Sequence, residues 1–323
     1  MIIRCLLALT LLYTLVGARE AYPEFTAVDG RKTMRAMPVA VEGEKIRFKK
    51  EDGKTFVAQP GKFSGKDQKN LREWMAAMTR NPHAALVDRV QQAKTLNVLF
   101  VGNSYSFKIP KEFEKLARSE GRSIEVGQVT KGGWTLAKHA AARTTLDQIA
   151  NGKWDVVVLQ EQSQIPAFAD GQRSKEMDAA AKKLADAARE AKAIPVFFQT
   201  WGRRDGDQKN AAAFPNDTYA AMQKRLIAGY KNAASQAGGA YVVPVGEVWS
   251  VLRQMKQDDG LYAKDGSHPA QRGNYLGACV FYNALYNEKI EKRADEIKGS
   301  DEIRDAASMA AMGTLPYPLR TNR

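Results

Sequence analysis

Two rhythms of apolar and polar residues divide the chain. From residue 19 to 76, short alternating runs are cut by Asp29-Gly30, Glu42-Gly43 and Asp52-Gly53. Alternation at period two broken by such turns predicts hairpins folded into a small β-barrel. Residues 77–94 read as a helical connector. Beyond it, strand-like runs at 96–101, 123–129, 155–159, 195–200 and 241–243, largely apolar, alternate with amphipathic stretches such as 174–193 and 218–237. Apolar strands separated by helices predict a parallel sheet covered on both faces, a three-layer α/β/α domain over 95–290. A short helical pattern and a C-terminal tail fill 291–323.

The first residues follow neither rhythm. Met1-Ile2-Ile3-Arg4 carries one positive charge, and an apolar run then reaches Val16-Gly17-Ala18, a small-x-small cleavage pattern. The run is shorter than the roughly 20 residues of a spanning helix. Residues 1–18 are therefore expected to be a signal peptide cleaved near Ala18, with the mature chain secreted or periplasmic and without a membrane span. Cleavage removes Cys5 and leaves Cys279 as the single thiol, so no internal disulfide is expected.

Composition narrows the class only a little. The chain is 44% hydrophobic and 26% charged, as an ordinary folded protein is. Its net charge of +13 is spread along the sequence: residues 19–75 carry 13 Lys and Arg against 9 Asp and Glu. No dedicated nucleic-acid patch follows from that spread, and no nucleic-acid partner is expected.

The candidate chemistry collects at the carboxyl ends of the expected strands, where ligands of parallel sheets bind. Ser104 stands in Val-Gly-Asn-Ser-Tyr-Ser directly after the first of these strands, where Gly102 lets the chain turn sharply. Its hydroxyl either does chemistry there or, like Asn103 or Ser106, caps a helix. Asp265-Gly-Ser-His268-Pro supplies an Asp and a His three residues apart. That spacing lets the carboxylate fix the tautomer of a base able to activate a serine; the alternative is a solvated turn. Lys131-Gly132-Gly133-Trp134 follows the second strand and offers either open backbone amides or a helix-entry turn. Gln160 and Gln162 follow the third strand. Trp201 and Arg203 follow the fourth, with a ring and a guanidinium to hold a sugar or an acidic group; the alternative is a basic loop beside a core Trp. His139 either lines the same cleft or packs inside. No Cys-x-x-Cys pair, His-rich spacing or phosphate loop occurs, so neither metal nor cofactor is expected.

Taken together, Gly102-Asn103-Ser104 and Asp265-x-x-His268 resemble the SGNH hydrolase (GDSL-like esterase) superfamily over about residues 95 to 290. The resemblance implies a flavodoxin-like α/β/α fold with Ser104 as nucleophile, His268 as base and then acid, and Asp265 as its orienting carboxylate. It also implies an oxyanion hole from Ser104, Gly133 and one of Gln160 and Gln162, with Asn103, Gly132, Trp134, His139, Trp201 and Arg203 around the substrate. Two positions depart from the family pattern, and the Gln-for-Asn one, with Gly132 to His139 before it, resembles a divergent branch of secreted bacterial proteins. Asn103 replaces the usual Asp, and the Gly-x-Asn-Asp block is absent, with the Gln-bearing segment in its place. Residues 19–76 resemble the Sla-one homology domain, an SH3-like module, at Phe25, Gly30-Arg31, Ala36, Val39, Gly43, Ile46, Asp52-Gly53-Lys54, Val57, Ser64, Asp67-Gln68, Leu71 and Trp74. The expected function is a secreted serine esterase acting on acetyl esters of a small molecule or polysaccharide, with a protein or glycan ligand for the first module. The competing expectation is an envelope binding protein without turnover.

Overall fold

The computed structural model describes residues 23–311 apart from 43–44, 53, 80–81 and 292–296. The leader expected over residues 1–18, and with it the basis for export, lies outside the described residues. The chain divides between Asn81 and Pro82 into two compact units.

The first unit carries strands β1 (Glu24–Thr26), β2 (Thr33–Glu42), β3 (Lys45–Lys50) and β4 (Thr55–Ala58), paired antiparallel in sequence order. Among the described residues no pairing joins β4 back to β1. Pro38 cannot donate to a ladder, and the β2–β3 register shifts between Pro38 and Ala40, the bulge that accommodates it. Helix α1 (Gly65–Thr79) starts at a reciprocal cap: the Ser64 hydroxyl donates to Asp67 Oδ2 at 2.9 Å, which also accepts from Thr26 N at 2.8 Å. Phe25, Ala36, Ile46, Phe48, Phe63 and Leu71 form its buried core.

The second unit is built on a five-stranded parallel sheet: β5 (Leu96–Gly102), β6 (Ile124–Thr130), β7 (Val156–Leu159), β8 (Ile194–Phe198) and β9 (Tyr241–Val243). Its spatial order is β6-β5-β7-β8-β9, the flavodoxin-like order, in which the crevice opens at the carboxyl ends of the strands beside the one that begins the sheet. Its helices longer than a single turn are α2 (Pro82–Gln92), α3 (Ile109–Ser119), α4 (Leu136–Ala141), α5 (Arg143–Asn151), α6 (Ala179–Glu190), α7 (Tyr219–Gln236), α8 (Val245–Gln254), α9 (Gln271–Tyr286) and α10 (Ser300–Ala311).

Successive side chains of a strand point to opposite faces, and that alternation sorts the core into two layers. Val98, Phe100, Val156, Val158, Val196 and Phe198 pack with α2, α3, α8, α9 and α10 on one face. Leu99, Val101, Val157, Leu159 and Phe197 pack with α4, α5, α6 and α7 on the other. Burying one Val or Leu side chain contributes about 1.5 to 3 kcal/mol, so the double cover explains why Val98–Val101 of β5 and the whole of β7 read as unbroken apolar runs. The edge strand β6 is only half buried, which explains its interspersed Glu125 and Gln128.

Two elements differ from expectation. The stretch from 174 opens as a π-helix, Ser174–Asp178, before α6 begins. Helix α2, within the segment read as a connector, belongs to the second unit: Leu86 and Val90 are buried in its core, and His83 Nε2 lies 2.8 Å from Ala284 O. Cys279 is fully buried in α9, and burial pushes its thiol up to about 12, so it serves as packing. Among the described residues no helix is long and apolar enough to cross a membrane.

Candidate active site

The turn after β5 is held from several sides. Gly102 is required by close approach: a Cβ there would stand 2.5 Å from Gln160 Oε1. That same oxygen accepts Asn103 N at 2.9 Å and the Ser106 hydroxyl at 3.0 Å. Asn103 is buried; its Oδ1 accepts Tyr105 N at 3.2 Å, and its Nδ2 donates to Trp134 O at 2.9 Å. Gly102 O accepts Lys131 N at 3.1 Å and His139 Nε2 at 2.8 Å. These bonds leave Ser104 at the head of a single 3₁₀ turn, Ser104–Ser106, with its side chain half exposed.

The loop leading to α9 meets Ser104 there. The Ser104 hydroxyl donates to His268 Nε2 at 2.9 Å, and His268 Nδ1 donates to Asp265 Oδ2 at 2.5 Å. A carboxylate only accepts, so the second bond puts the proton on Nδ1 and leaves Nε2 bare. Asp265 Oδ1 also accepts the amides of Ser267 and His268 at 2.9 and 3.0 Å. Desolvation alone would raise the Asp265 carboxyl, but the bonds from His268, Ser267 N and His268 N outweigh it and hold the group at about 2.

An aromatic stack supports this loop. Tyr105, Trp201 and Trp249 lie nearly parallel, with centroids 4.8 and 4.1 Å apart. Trp201 Nε1 donates to Ser267 O at 3.0 Å, and the Tyr105 hydroxyl lies 2.6 Å from Ser267 Oγ. Burial raises the Tyr105 phenol, against smaller opposing effects of Ser267, Ser163 and Arg203.

Three residues expected in the cleft have other roles. Trp201 is fully buried, so its ring offers no face to substrate and instead fixes the loop before His268. His139 is also fully buried: its Nε2 donates to Gly102 O, and its Nδ1 accepts the Thr145 hydroxyl at 3.0 Å. Burial first, and Lys131 second, lower its basicity against the effect of the Gly102 carbonyl. It therefore supports the Gly102 to Ser104 turn from inside as a neutral ring. Gln160 is fully buried, with Oε1 committed to Asn103 and Ser106 and Nε2 donating to Glu161 O, so burial keeps its amide away from a substrate oxyanion.

The remaining expected residues stay at or near the surface. Gly132 and Gly133 are exposed, and Gly133 has φ +68, in the left-handed region that favours glycine. Trp134 is half buried beneath Lys131 Nζ, 4.3 Å above its ring. Gln162 is half buried, and its Nε2 has only a stretched 3.5 Å contact to Gln164 Oε1. Arg203 donates to Gln164 Oε1 at 2.8 Å and lies 3.5 Å from the buried Asp207 carboxylate. Tyr105, Ser267, Ser163, Gln164, Asp207 and Glu161 were not among the residues expected at the site. The one available signal was the polar run Gln-Glu-Gln-Ser-Gln immediately after a fully buried strand.

No family model and no curated protein matches the chain. Among solved structures, a DUF4886 family protein from Bacteroides uniformis is 22% identical with a TM-score of 0.58, over 69% of this chain and 96% of that one. A protein described as a candidate SGNH hydrolase from Slackia heliotrinireducens is 29% identical with a TM-score of 0.49, over 59% of this chain and 99% of that one. An acetyl xylan esterase from Geobacillus stearothermophilus is 15% identical with a TM-score of 0.46, over 62% and 100%. The strand order and the two helical layers make a three-layer α/β/α parallel sheet of flavodoxin-like order, and the likeness to the Bacteroides uniformis structure agrees with that fold.

Proposed function

We propose that the chain is a serine esterase of the SGNH type. The observation that carries the reading is the continuous relay Ser104 Oγ, His268 Nε2, His268 Nδ1, Asp265 Oδ2, with links of 2.9 and 2.5 Å at the carboxyl end of a parallel sheet. A serine hydroxyl beside a bare imidazole nitrogen is poised for attack, because the proton has somewhere to go as the oxygen bonds to carbon.

In this reading Ser104 Oγ attacks the ester carbonyl while His268 Nε2 takes its proton. The tetrahedral oxyanion is met by the amides of Ser104 and Gly133 and by the Gln162 side chain, a donor of the kind worth about 100- to 1000-fold in rate. His268 then returns the proton to the leaving alkoxide as its bond to carbon breaks. Water attacks the acyl-enzyme with His268 again as base, releasing the carboxylic acid and restoring the Ser104 hydroxyl. Asp265 holds the tautomer throughout and stabilises the imidazolium.

The substrate we assign is a short acyl ester, acetyl foremost, on a carbohydrate. In support, the groups near the nucleophile are polar: Ser163 and Ser267 by the Tyr105 hydroxyl, then Arg203 and Gln164. Trp134 offers a partly exposed ring of the kind that stacks on sugars. The leader pattern of residues 1–18 supports export, and the turn and core residues of the first unit support an SH3-like docking module. Hydrolysis of p-nitrophenyl acetate and release of acetate from acetylated xylan test the reading. The wild type is expected to turn over both, and Ser104→Ala neither. Equal rates for the two proteins would refute it.

A further inference from the structure

Glu161 lies two residues beyond β7, and its side chain is fully buried. Its Oε1 accepts two backbone amides, Leu136 N at 3.0 Å and Gln162 N at 2.6 Å. Its own amide donates to the Tyr230 hydroxyl of α7 at 3.2 Å. The other oxygen, Oε2, is buried with no partner among the described residues. Burial pushes the carboxyl up to about 7, opposed by the Gln162 and Leu136 amides and reinforced by Glu176.

Packing alone does not explain such a group. Burying a carboxyl is costly, and leaving one of its oxygens without a donor adds to the cost. An apolar side chain of like size would fill the space without either penalty. A carboxylate oxygen instead makes bonds to amides roughly twice as strong as a neutral acceptor does. The two amides it takes are also particular. Leu136 opens α4 three residues after Gly133, and Gln162 is the adjacent residue whose side-chain amide is weakly engaged. One oxygen atom thus ties together the two segments that supply oxyanion donors beyond Ser104 itself.

We infer that Glu161 is a positioning residue for the oxyanion hole, clamping the Gly133 turn and the Gln162 segment at a fixed separation. The inference rests on the serine-esterase reading above. It acts through the Gly133 and Gln162 amides, so its loss falls on transition-state stabilisation and not on substrate capture.

The test compares wild type, Glu161→Gln and Glu161→Ala on p-nitrophenyl acetate, together with the rate at which a fluorophosphonate phosphonylates Ser104. Glutamine keeps an acceptor oxygen where alanine has none. For Glu161→Ala the expected result is a kcat about 20-fold or more below wild type, KM within about threefold, and an equal loss in phosphonylation rate. Glu161→Gln should recover most but not all of that loss, to about two- to fivefold below wild type, because a neutral amide oxygen accepts more weakly than a carboxylate. If the alanine variant does not fold, the glutamine variant decides alone: a kcat about two- to fivefold low at unchanged KM supports the clamp, and wild-type kcat overturns it. A folded alanine variant with wild-type kcat, or a loss that glutamine does not recover, also overturns it. A wild-type protein without Ser104-dependent turnover would sink the esterase reading instead, and Ser104→Ala separates the two failures.

Discussion

Asp265→Asn probes the relay with the least disturbance. In wild type, Oδ1 takes two amides at 2.9 and 3.0 Å while Oδ2 takes the Nδ1 proton at 2.5 Å. Asparagine can keep Oδ1 on the two amides, but its NH2 group then faces Nδ1. Two donors cannot share a bond, so the imidazole must move its proton to Nε2 and can no longer accept from Ser104. Turning the amide over restores the Nδ1 bond but sets the NH2 group against two N–H groups, sacrificing two hydrogen bonds of about 0.5 to 1.5 kcal/mol each. A buried triad loses about 10⁴-fold on this change. Here the Asp265 side chain is 49% exposed, and water screens and partly replaces the missing charge, so the expected loss in kcat/KM is smaller, about 100- to 1000-fold, or roughly 2.7 to 4 kcal/mol. The assay is p-nitrophenyl acetate hydrolysis at saturating and limiting substrate, with circular-dichroism melting to confirm the fold. A folded variant within about threefold of wild type would refute the tautomer argument.

Other substitutions test the surroundings of the relay. The Glu161 carboxyl is raised in the fold from 4.5 to about 7, so the stability it contributes is full below its unfolded value and is lost as pH rises through about 7, a difference of roughly 3 kcal/mol. Glu161→Gln should therefore gain in melting temperature over wild type as pH rises from about 5 to about 8, and a constant difference would contradict the shift. Asp265 has the opposite sign: held at about 2, it contributes stability above its unfolded value that is lost as pH falls through about 2, so Asp265→Asn should melt closest to wild type in acid. Gly102→Ala puts a Cβ 2.5 Å from Gln160 Oε1, and about 1 to 3 kcal/mol of stability with about tenfold or more of kcat should be lost, as denaturant titration and kinetics would report. Trp201→Phe retains the stack but strips Ser267 O of its donor, so kcat should fall further than KM changes, with about 1 to 3 kcal/mol lost in unfolding.

What the sequence disclosed follows from which signals are local. The sheet was legible because β5 and β7 are apolar on both faces and stand among amphipathic helices. Ser104 and the Asp265 to His268 segment were legible because each motif occupies a few consecutive residues. Burial was less legible. Trp201 and His139 carry polar atoms at the correct end of the sheet, and only coordinates show those atoms spent on Ser267 O and Gly102 O. Gln160 and Gln162 were interchangeable in sequence, yet Gln160 turns inward onto the Asn103 amide while Gln162 stays partly exposed. Glu161 escaped notice because a carboxylate beyond a strand ordinarily reads as solvated. Its partners, Leu136 N and Tyr230, come from α4 and α7, which no local pattern connects to it.

The central claim is that the Ser104 oxygen is a nucleophile driven by His268. The most direct measurement is intact-mass and peptide analysis after exposure to a fluorophosphonate ester, in which Ser104 Oγ would displace fluoride at phosphorus. The account predicts a single phosphonyl adduct on the peptide containing Ser104, absent from Ser104→Ala and greatly slowed in His268→Ala. A folded wild type that takes no label, or takes it at another residue while Ser104→Ala is labelled as fast, would contradict it.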